Sequence, residues 1–269
     1  MSIVVNTNIA SMNAQRSLHA SAMELRESME RLSTGKKINS AADDAAGFAI
    51  AESMTAQIRG LGMAAKNAND ALGMLKVVEN ATNDVTDMLQ RIRELSVQAT
   101  SGTNSDGDIQ NLQDEADQLL LEIDRVSSDT TYNGKALLST AGATTLNIQV
   151  GYNDGEQIEI TTYDVSASAL SLGSFDVDGA TALAEVSDAI DQVAGYKAEW
   201  GAGQNRLEYT VSNLMNVVEF TSAARSRAQD ADFAVEAAKL AKAQVLQQTG
   251  AAMLAQANAA PQLALQLIK

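Results

Sequence analysis

The chain has 269 residues, of which 45% are hydrophobic and 20% charged, a composition typical of a folded protein. Its formal net charge of −15 argues against binding to nucleic acid or to an anionic membrane surface, because both partners are negative. It contains no cysteine, which excludes disulfide scaffolds, thiolate zinc sites and cysteine nucleophiles. Aromatic residues make up only 4% of the chain, which favours thin helix-on-helix packing over an aromatic core.

The N-terminal part of the chain predicts two helices separated by a short connector. Residues 8–32 carry apolar side chains at helical spacing, and residues 33–35 end that helix. Asp43 and Asp44 stand where the second helix begins. We expect them to cap this helix rather than to form a catalytic pair, since adjacent residues on a helix do not face each other.

The second helix is predicted to run from about residue 43 to residue 100. Its apolar residues recur in steps of four and three, the pattern of a coiled-coil-like seam, and its length would be roughly 80 Å. Gly60, Gly62 and Gly73 each weaken such a helix by about 1 kcal/mol relative to alanine and suit curvature or close packing. A turn at residues 101–107 and a further seam up to residue 126 predict an antiparallel helical hairpin.

The middle of the chain predicts one β-hairpin at about residues 144–165. Apolar residues alternate in 144–150 and again in 157–165, and Tyr152-Asn-Asp-Gly155 between them is a strong hairpin turn. Residues 166–179 look like a loose polar stretch in which an insertion would be tolerated.

Helical periodicity returns at residue 181 and continues towards the C-terminus. From residue 223 to 260 the chain is dense in alanine, and small residues let helices approach closely. The apolar residues 263–268 would be awkward if they were exposed on a monomer. Amphipathic ends around a folded middle are typical of a polymerising subunit, although an ordinary bundle whose ends close on each other would share the pattern.

The sequence gives no support to an enzyme, a cofactor site or a metal site. His19 is the only histidine, and neither a zinc-binding HExxH helix nor a nucleotide-binding glycine loop occurs. No run is long and apolar enough to span a bilayer, and the first eight residues do not resemble a cleaved signal peptide. These observations alone would predict a cytoplasmic protein.

Short motifs along both halves of the chain resemble bacterial flagellins. In the N-terminal half they are Val5-Asn-Thr-Asn8, Arg31-Leu-Ser-Thr-Gly35, residues 38–50, residues 57–61, residues 67–71, Leu89-Gln-Arg-Ile-Arg-Glu-Leu95, residues 122–126 and Tyr132-Asn-Gly134. In the C-terminal half they are residues 201–206, residues 224–227, Asp230-Ala-Asp232 and Met253-Leu-Ala-Gln-Ala-Asn258. So many matches in order cover most of both halves.

The resemblance implies a mainly α fold, with long antiparallel coiled-coil-like helices from both halves and one small β-hairpin region. Residues 1–42 and 229–269 would form an inner filament-core domain, and residues 43–228 a rod. Only residues 139–182 separate the two halves, so the large variable outer domains of many flagellins should be absent. Trp200 stands where a smaller aliphatic residue is more usual, which we expect to reshape a local contact.

The resemblance also implies a location and partners, and it overturns the cytoplasmic prediction. Flagellins form a homopolymer outside the cell, the filament that drives swimming. They are exported unfolded through the flagellar type III apparatus without a cleaved signal peptide, and an export chaperone holds the C-terminal helix. The cap and junction proteins of the filament are further expected partners, and membrane insertion is not expected.

A host Toll-like receptor that senses flagellin is a further expected partner. The positions that match the receptor-binding region of flagellins are Gln90, Arg91, Leu95, Gln98 and Glu115. Arg91 could anchor an interface by several hydrogen bonds, and Leu95 could enter a pocket. The alternative is that these residues make contacts within the filament.

Two other classes of protein remain as alternatives. A hook–filament junction protein shares the terminal helices of flagellin but does not polymerise indefinitely. A cytosolic coiled-coil binding module would explain the seams but not the ordered motifs.

Overall fold

Five helices dominate the computed structural model, which describes residues 7–139 and 143–266, with side chains up to residue 259. Residues 1–6 and 267–269, and the side chains of the apolar segment 263–268, lie outside the described part. The helices are α1 Ile9–Thr34, α2 Ala45–Ala99, α3 Asp106–Asp129, α4 Ala182–Gln229 and α5 Phe233–Gln266. The predicted mainly α fold is confirmed.

Local side chains fix the ends of the helices. Asn8 caps α1 by accepting the backbone N–H of Ser11 at 3.0 Å. Gly35 ends α1 in the left-handed conformation, with φ of 71°, which glycine adopts without a steric cost. Asp44 caps α2 by accepting the N–H groups of Ala46 and Gly47, so the capping role predicted for Asp44 is confirmed. Asp43 instead accepts the backbone N–H groups of Asn39 and Ser40 in the connector, so the capping role predicted for Asp43 is wrong.

Two further helix ends show the same local control. Ser105 and Asp108 form a reciprocal capping box at the start of α3. Asp232 accepts the N–H groups of Ala234 and Val235 at the start of α5. The break between α4 and α5 at residues 230–232 therefore has a clear cause, although the periodicity of the sequence did not predict it.

The described residues contain two β-hairpins, one more than predicted. The predicted hairpin is present as β3 Thr144–Gln149 and β4 Gln157–Thr162, which pair antiparallel with Leu146 opposite Ile160. The second, β1 Thr131–Tyr132 with β2 Lys135–Ala136, turns through Asn133 and Gly134, both at positive φ. Asn-Gly is the sequence that this tight turn favours, but two-residue strands are too short to show alternation.

The chain divides into two compact units. One contains the residues up to Ala56 and those from Phe220 onward, and the other is Gln57–Glu219. Helices α2 and α4 contribute residues to both units.

The core of the second unit follows the predicted seam of α2. Its fully buried side chains include Leu75, Val85, Ile92 and Leu95 of that seam, together with Leu89, which the predicted spacing did not place on it. Two sets of contacts show that α3 runs antiparallel to α2. Arg91, late in α2, pairs with Glu115, early in α3. Lys76 and Asp84, earlier in α2, line a cleft with Arg125 and Asp129, late in α3. The predicted helical hairpin is therefore confirmed.

The β3–β4 hairpin is attached to α2 at its turn. A Cβ on Gly60 would lie 2.7 Å from the Cβ of Tyr152, closer than two carbon atoms approach without displacement. Nearby, the amide of Asn67 donates to the carbonyl of Gln149 at 3.2 Å. Gly60 thus allows close packing, as its position in the sequence suggested.

Trp200 attaches the other strand of this hairpin to α4. Its indole Nε1 donates to the carbonyl of Thr161 at 2.8 Å, and its side chain is buried. Tyr163 and Tyr196 stack beside it with ring centroids 4.0 Å apart. The unusual tryptophan therefore serves as a hydrogen-bonded anchor between strand and helix.

Residues 166–179 are not the loose polar stretch that the sequence suggested. The segment lacks regular helix or strand, yet its apolar side chains point into the core: Ala167, Leu170, Leu172, Phe175 and Val177 are buried. Gln113 of α3 holds its backbone by donating to the carbonyl of Phe175 and accepting the N–H of Val177. An insertion here would disturb packing.

Alanine at Gly60 is expected to destabilise the second unit, whereas alanine at Gly62 is expected to stabilise it. Gly60→Ala forces Tyr152 away from α2 and should cost about 1–3 kcal/mol, as overpacking usually does. Nothing lies within 4 Å of a Cβ at Gly62, so Gly62→Ala should gain about 0.5–1 kcal/mol of helix stability. Urea unfolding followed by the fluorescence of Trp200, the only tryptophan, measures both. Equal effects of the two substitutions would contradict the docking of the hairpin.

Candidate assembly and recognition surfaces

Helices α1 and α5 pack side by side in the first unit through small side chains. Ser11, Ser21 and Ser28 of α1 and Ala243 of α5 are buried between them. A Cβ on Gly250 would lie 3.8 Å from the Cβ of Leu18. Cα atoms of the two helices approach within 8 Å of each other.

Large apolar side chains on the same two helices are exposed to solvent. On α1 they are Ile9, Met12, Met23 and Met29, and on α5 they are Phe233, Val235, Val245, Leu246 and Met253, each at least 40% exposed. Soluble monomers rarely expose so much apolar surface, and such surfaces mark interaction sites. This outward apolar surface is the candidate assembly surface.

A short backbone bridge joins the segments at which α1 ends and α5 begins. The N–H of Lys37 donates to the carbonyl of Gln229 at 2.7 Å, and the N–H of Ala231 donates to that of Gly35 at 2.9 Å. These bonds satisfy backbone groups that the helix ends leave free.

Glu236 lies beside this bridge as a buried charge. Its side chain is 6% exposed, and its Oε1 contacts Nζ of Lys239 at 2.8 Å and Nη1 of Arg31 at 3.4 Å. The hydrogen bond from Lys239, and secondarily the charges of Lys239 and Arg31, lower the pKa of Glu236 despite its burial. Its Oε2 is enclosed without a hydrogen-bond donor among the described residues.

The sequence-predicted recognition residues lie in the second unit, on α2 and α3. Gln90, Arg91, Gln98 and Glu115 are exposed. Arg91 donates from Nε to Glu115 at 2.9 Å and from Nη1 to Glu94 at 3.0 Å, and the hydrogen bond to Glu115 is the main cause of its raised pKa. The fold therefore brings Arg91 and Glu115 together from two helices. Glu94 belongs to the same group, and sequence reasoning did not select it.

Leu95 does not join this exposed group. Its side chain is completely buried in the core of the second unit. The expectation that Leu95 enters a partner's pocket is therefore wrong for this conformation, and Leu95 instead supports the helix that carries Arg91. The four-three spacing had marked it as a seam residue, and the seam faces inward.

The described residues offer no metal site and no membrane-spanning helix. No group of three or more His, Asp or Glu side chains among them could hold a metal ion. None of the helices, so far as described, is long and apolar enough to cross a bilayer.

Comparisons with known proteins give the class of protein to which these surfaces belong. The chain matches the bacterial flagellin N-terminal helical region over residues 5–143 and the bacterial flagellin C-terminal helical region over residues 183–268. The chain therefore belongs to the bacterial flagellin family.

Individual relatives agree over the whole length of the chain. It is 41% identical to a flagellin of Halalkalibacterium halodurans over 99% of this chain and 100% of that protein. It is 39% identical to a flagellin of Bacillus subtilis over 98% of this chain and 99% of that protein. A crystal structure of Bacillus cereus flagellin is also similar, with 26% identity and a TM-score of 0.49, over 55% of this chain and 88% of that one.

Family membership gives the coarse function. The chain is a structural protein and not an enzyme: a flagellin, the self-polymerising subunit of the bacterial flagellar filament, which lies outside the cell. Only residues 144–182 lie between the two matched regions. The β3–β4 hairpin and the packed segment 166–179 occupy them. The chain is therefore a short form of the family, as the sequence predicted.

Acid is expected to weaken the pairing of α1 with α5 through Glu236. Its pKa in the folded state lies below the ordinary value of 4.5, so the ionised carboxylate contributes stability above that value. This contribution is lost as the pH falls through the lowered pKa. Thermal unfolding followed by circular dichroism between about pH 6 and about pH 3 should show a steeper loss in the parent than in Glu236→Gln. Parallel pH profiles would contradict the assignment.

Proposed function

We propose that residues 1–42 and 229–269 form the inner, filament-core domain of the assembled subunit and that residues 43–228 form the rod. The observation that carries this proposal is the outward apolar surface of the paired helices α1 and α5, which a neighbouring subunit would cover. The breaks in the helices at residues 35–44 and 230–232 support domain boundaries near these positions.

The route of export and the accessory partners belong to the same proposal. The chain leaves the cell unfolded through the flagellar type III apparatus without cleavage of a signal peptide. A chaperone covers α5 before export, and the cap and junction proteins contact the chain at the ends of the filament. The exposed apolar side chains of α5 support the need for a chaperone, because such a helix would aggregate before assembly.

Electron microscopy of the purified full chain, incubated with short filament seeds, tests the assembly proposal. Long uniform filaments are expected. Short stubs that stop growing would favour the hook–filament junction protein, and unchanged monomers would contradict the proposed assembly.

A charge on the outward apolar surface is expected to block filament growth. Met23 is 55% exposed on α1, so Met23→Glu should leave the subunit's own fold intact. Burying the new carboxylate against a neighbour costs several kcal/mol, which should raise the critical concentration for growth at least about tenfold. Sedimentation of filaments measures this, and Met23→Leu is the matched control, which should polymerise like the parent. Normal growth of Met23→Glu would exclude this surface from assembly.

We further propose that the exposed group Gln90, Arg91, Gln98 and Glu115 is recognised by the host Toll-like receptor that senses flagellin. The pairing of Arg91 with Glu115 supports this, because a half-exposed arginine held between carboxylates keeps a fixed geometry for a partner. Leu95 acts indirectly in this proposal, by supporting α2 from the core.

Loss of Arg91 is expected to reduce receptor activation at least about tenfold, as removal of an interface hot spot of about 2 kcal/mol would. A reporter-cell assay of purified monomers compares Arg91→Ala with the parent. Arg125→Ala is the matched control, because Arg125 is also an exposed arginine paired with two carboxylates. An unchanged response to Arg91→Ala, or equal losses in both variants, would contradict the proposed recognition group.

A further inference from the structure

The small residues between α1 and α5 define their relative position only weakly. Apart from Glu236, the buried side chains of the pair, so far as it is described, are the small ones of Ser11, Ser21, Ser28 and Ala243, and leucines such as Leu18 are only half-buried. A shift of one helix along the other by one turn would bury similar groups. Flat, repetitive seams need a further device to select one register.

Three side-chain contacts record a single antiparallel register along the pair. Near the start of α1, the amide of Asn8 donates to the carbonyl of Ala257 at 2.8 Å. In the middle, Leu18 packs against Gly250. Near the end of α1, Arg31 meets Glu236. The contacts advance along α1 as they recede along α5, so the register is uniform.

A gain in stability does not by itself explain a buried carboxylate at Glu236. Burial of a carboxylate costs several kcal/mol, and well-packed apolar residues usually stabilise such a position as well or better. One of its oxygens is enclosed without a donor among the described residues. Fixing a register is the best-attested role of buried polar groups between helices.

We propose that Glu236, held by Arg31 and Lys239, sets the register of α1 against α5. The importance of this register rests on the proposed assembly function, because the same two helices carry the outward apolar surface. A slip by four residues, about one turn, would shift the apolar side chains of one helix by about 6 Å relative to the other.

A slip by one turn in either direction is unfavourable for Glu236. In one direction it would face Glu27, a like charge that already pairs with Arg31. In the other it would lie beside Gly35, beyond the end of α1, and Lys239 would approach Arg31. The backbone bridge at Gln229 lies at the same end of the helix pair. Its hydrogen bonds join main-chain groups that every residue carries, so they do not distinguish one register by side-chain type.

Cysteine cross-linking reads the register directly, since the chain has no cysteine of its own. Leu18→Cys with Gly250→Cys reports the observed register, because the Cβ separation of 3.8 Å is the usual one for a disulfide. Leu18→Cys with Leu246→Cys, and Leu18→Cys with Leu254→Cys, report slips of one turn either way. Each pair is oxidised in the full chain, as monomer and in seeded filaments, and cross-links within one subunit are identified by mass spectrometry.

With Glu236 intact, only the pair at residues 18 and 250 should close efficiently. In Glu236→Gln, cross-linking of one or both slipped pairs should rise at least about fivefold, as expected when a preference of about 1 kcal/mol is lost. Glu27→Gln, which removes the other carboxylate on Arg31, is the matched control and should keep the parent pattern. If Glu236→Gln gave the same pattern of cross-links as the parent chain, the proposal would be wrong and the backbone bridge would set the register.

Assembly provides the second measurement. If Glu236→Gln forms no filaments, closing the disulfide between positions 18 and 250 before seeding should restore growth, and failure to restore it would overturn the proposal. If the parent chain itself forms no filaments, the assembly function fails, whereas cross-linking of the monomer still measures the register.

Discussion

Packing between helices from opposite ends of the chain is the constraint on which the rest of the structure depends. Asn8 bonds to Ala257 and Arg31 to Glu236, and in the second unit Leu61 and Ala64 of α2 pack with Leu214 of α4. A helix without another helix to pack against is only marginally stable, because helix propensity alone contributes little to its stability. The seam of α1 with α5 and the packing of α2 with α4 therefore both need helices from the two halves of the chain.

Few large side chains are needed because a small number of specific contacts fix the long seams. Trp200 joins strand β4 to α4, and Gly60 lets the turn of the same hairpin approach α2. The hairpin therefore contacts one helix from each half of the chain. Such anchors give the second unit a defined arrangement that uniform packing of Leu, Val and Ala would not specify.

The two candidate surfaces differ in their physical character. The first unit presents large apolar side chains on paired helices, a surface suited to permanent burial against a copy of the same chain. The second presents Arg91 between Glu115 and Glu94, an exposed polar group suited to a hydrated, reversible contact. A net charge of −15 keeps free subunits apart in solution, so apolar contact must outweigh repulsion during growth.

The sequence by itself determined the features that depend on neighbours within a few residues. Helix periodicity, the cap at Asp44 and the alternation of the β3–β4 hairpin are local, and the prediction of each was correct. Only the tertiary structure decided that Leu95 is buried, that residues 166–179 pack into the core and that Glu236 is enclosed. Burial depends on which distant segment covers a residue, and pairs such as Arg91 with Glu115 form only when α2 and α3 lie side by side.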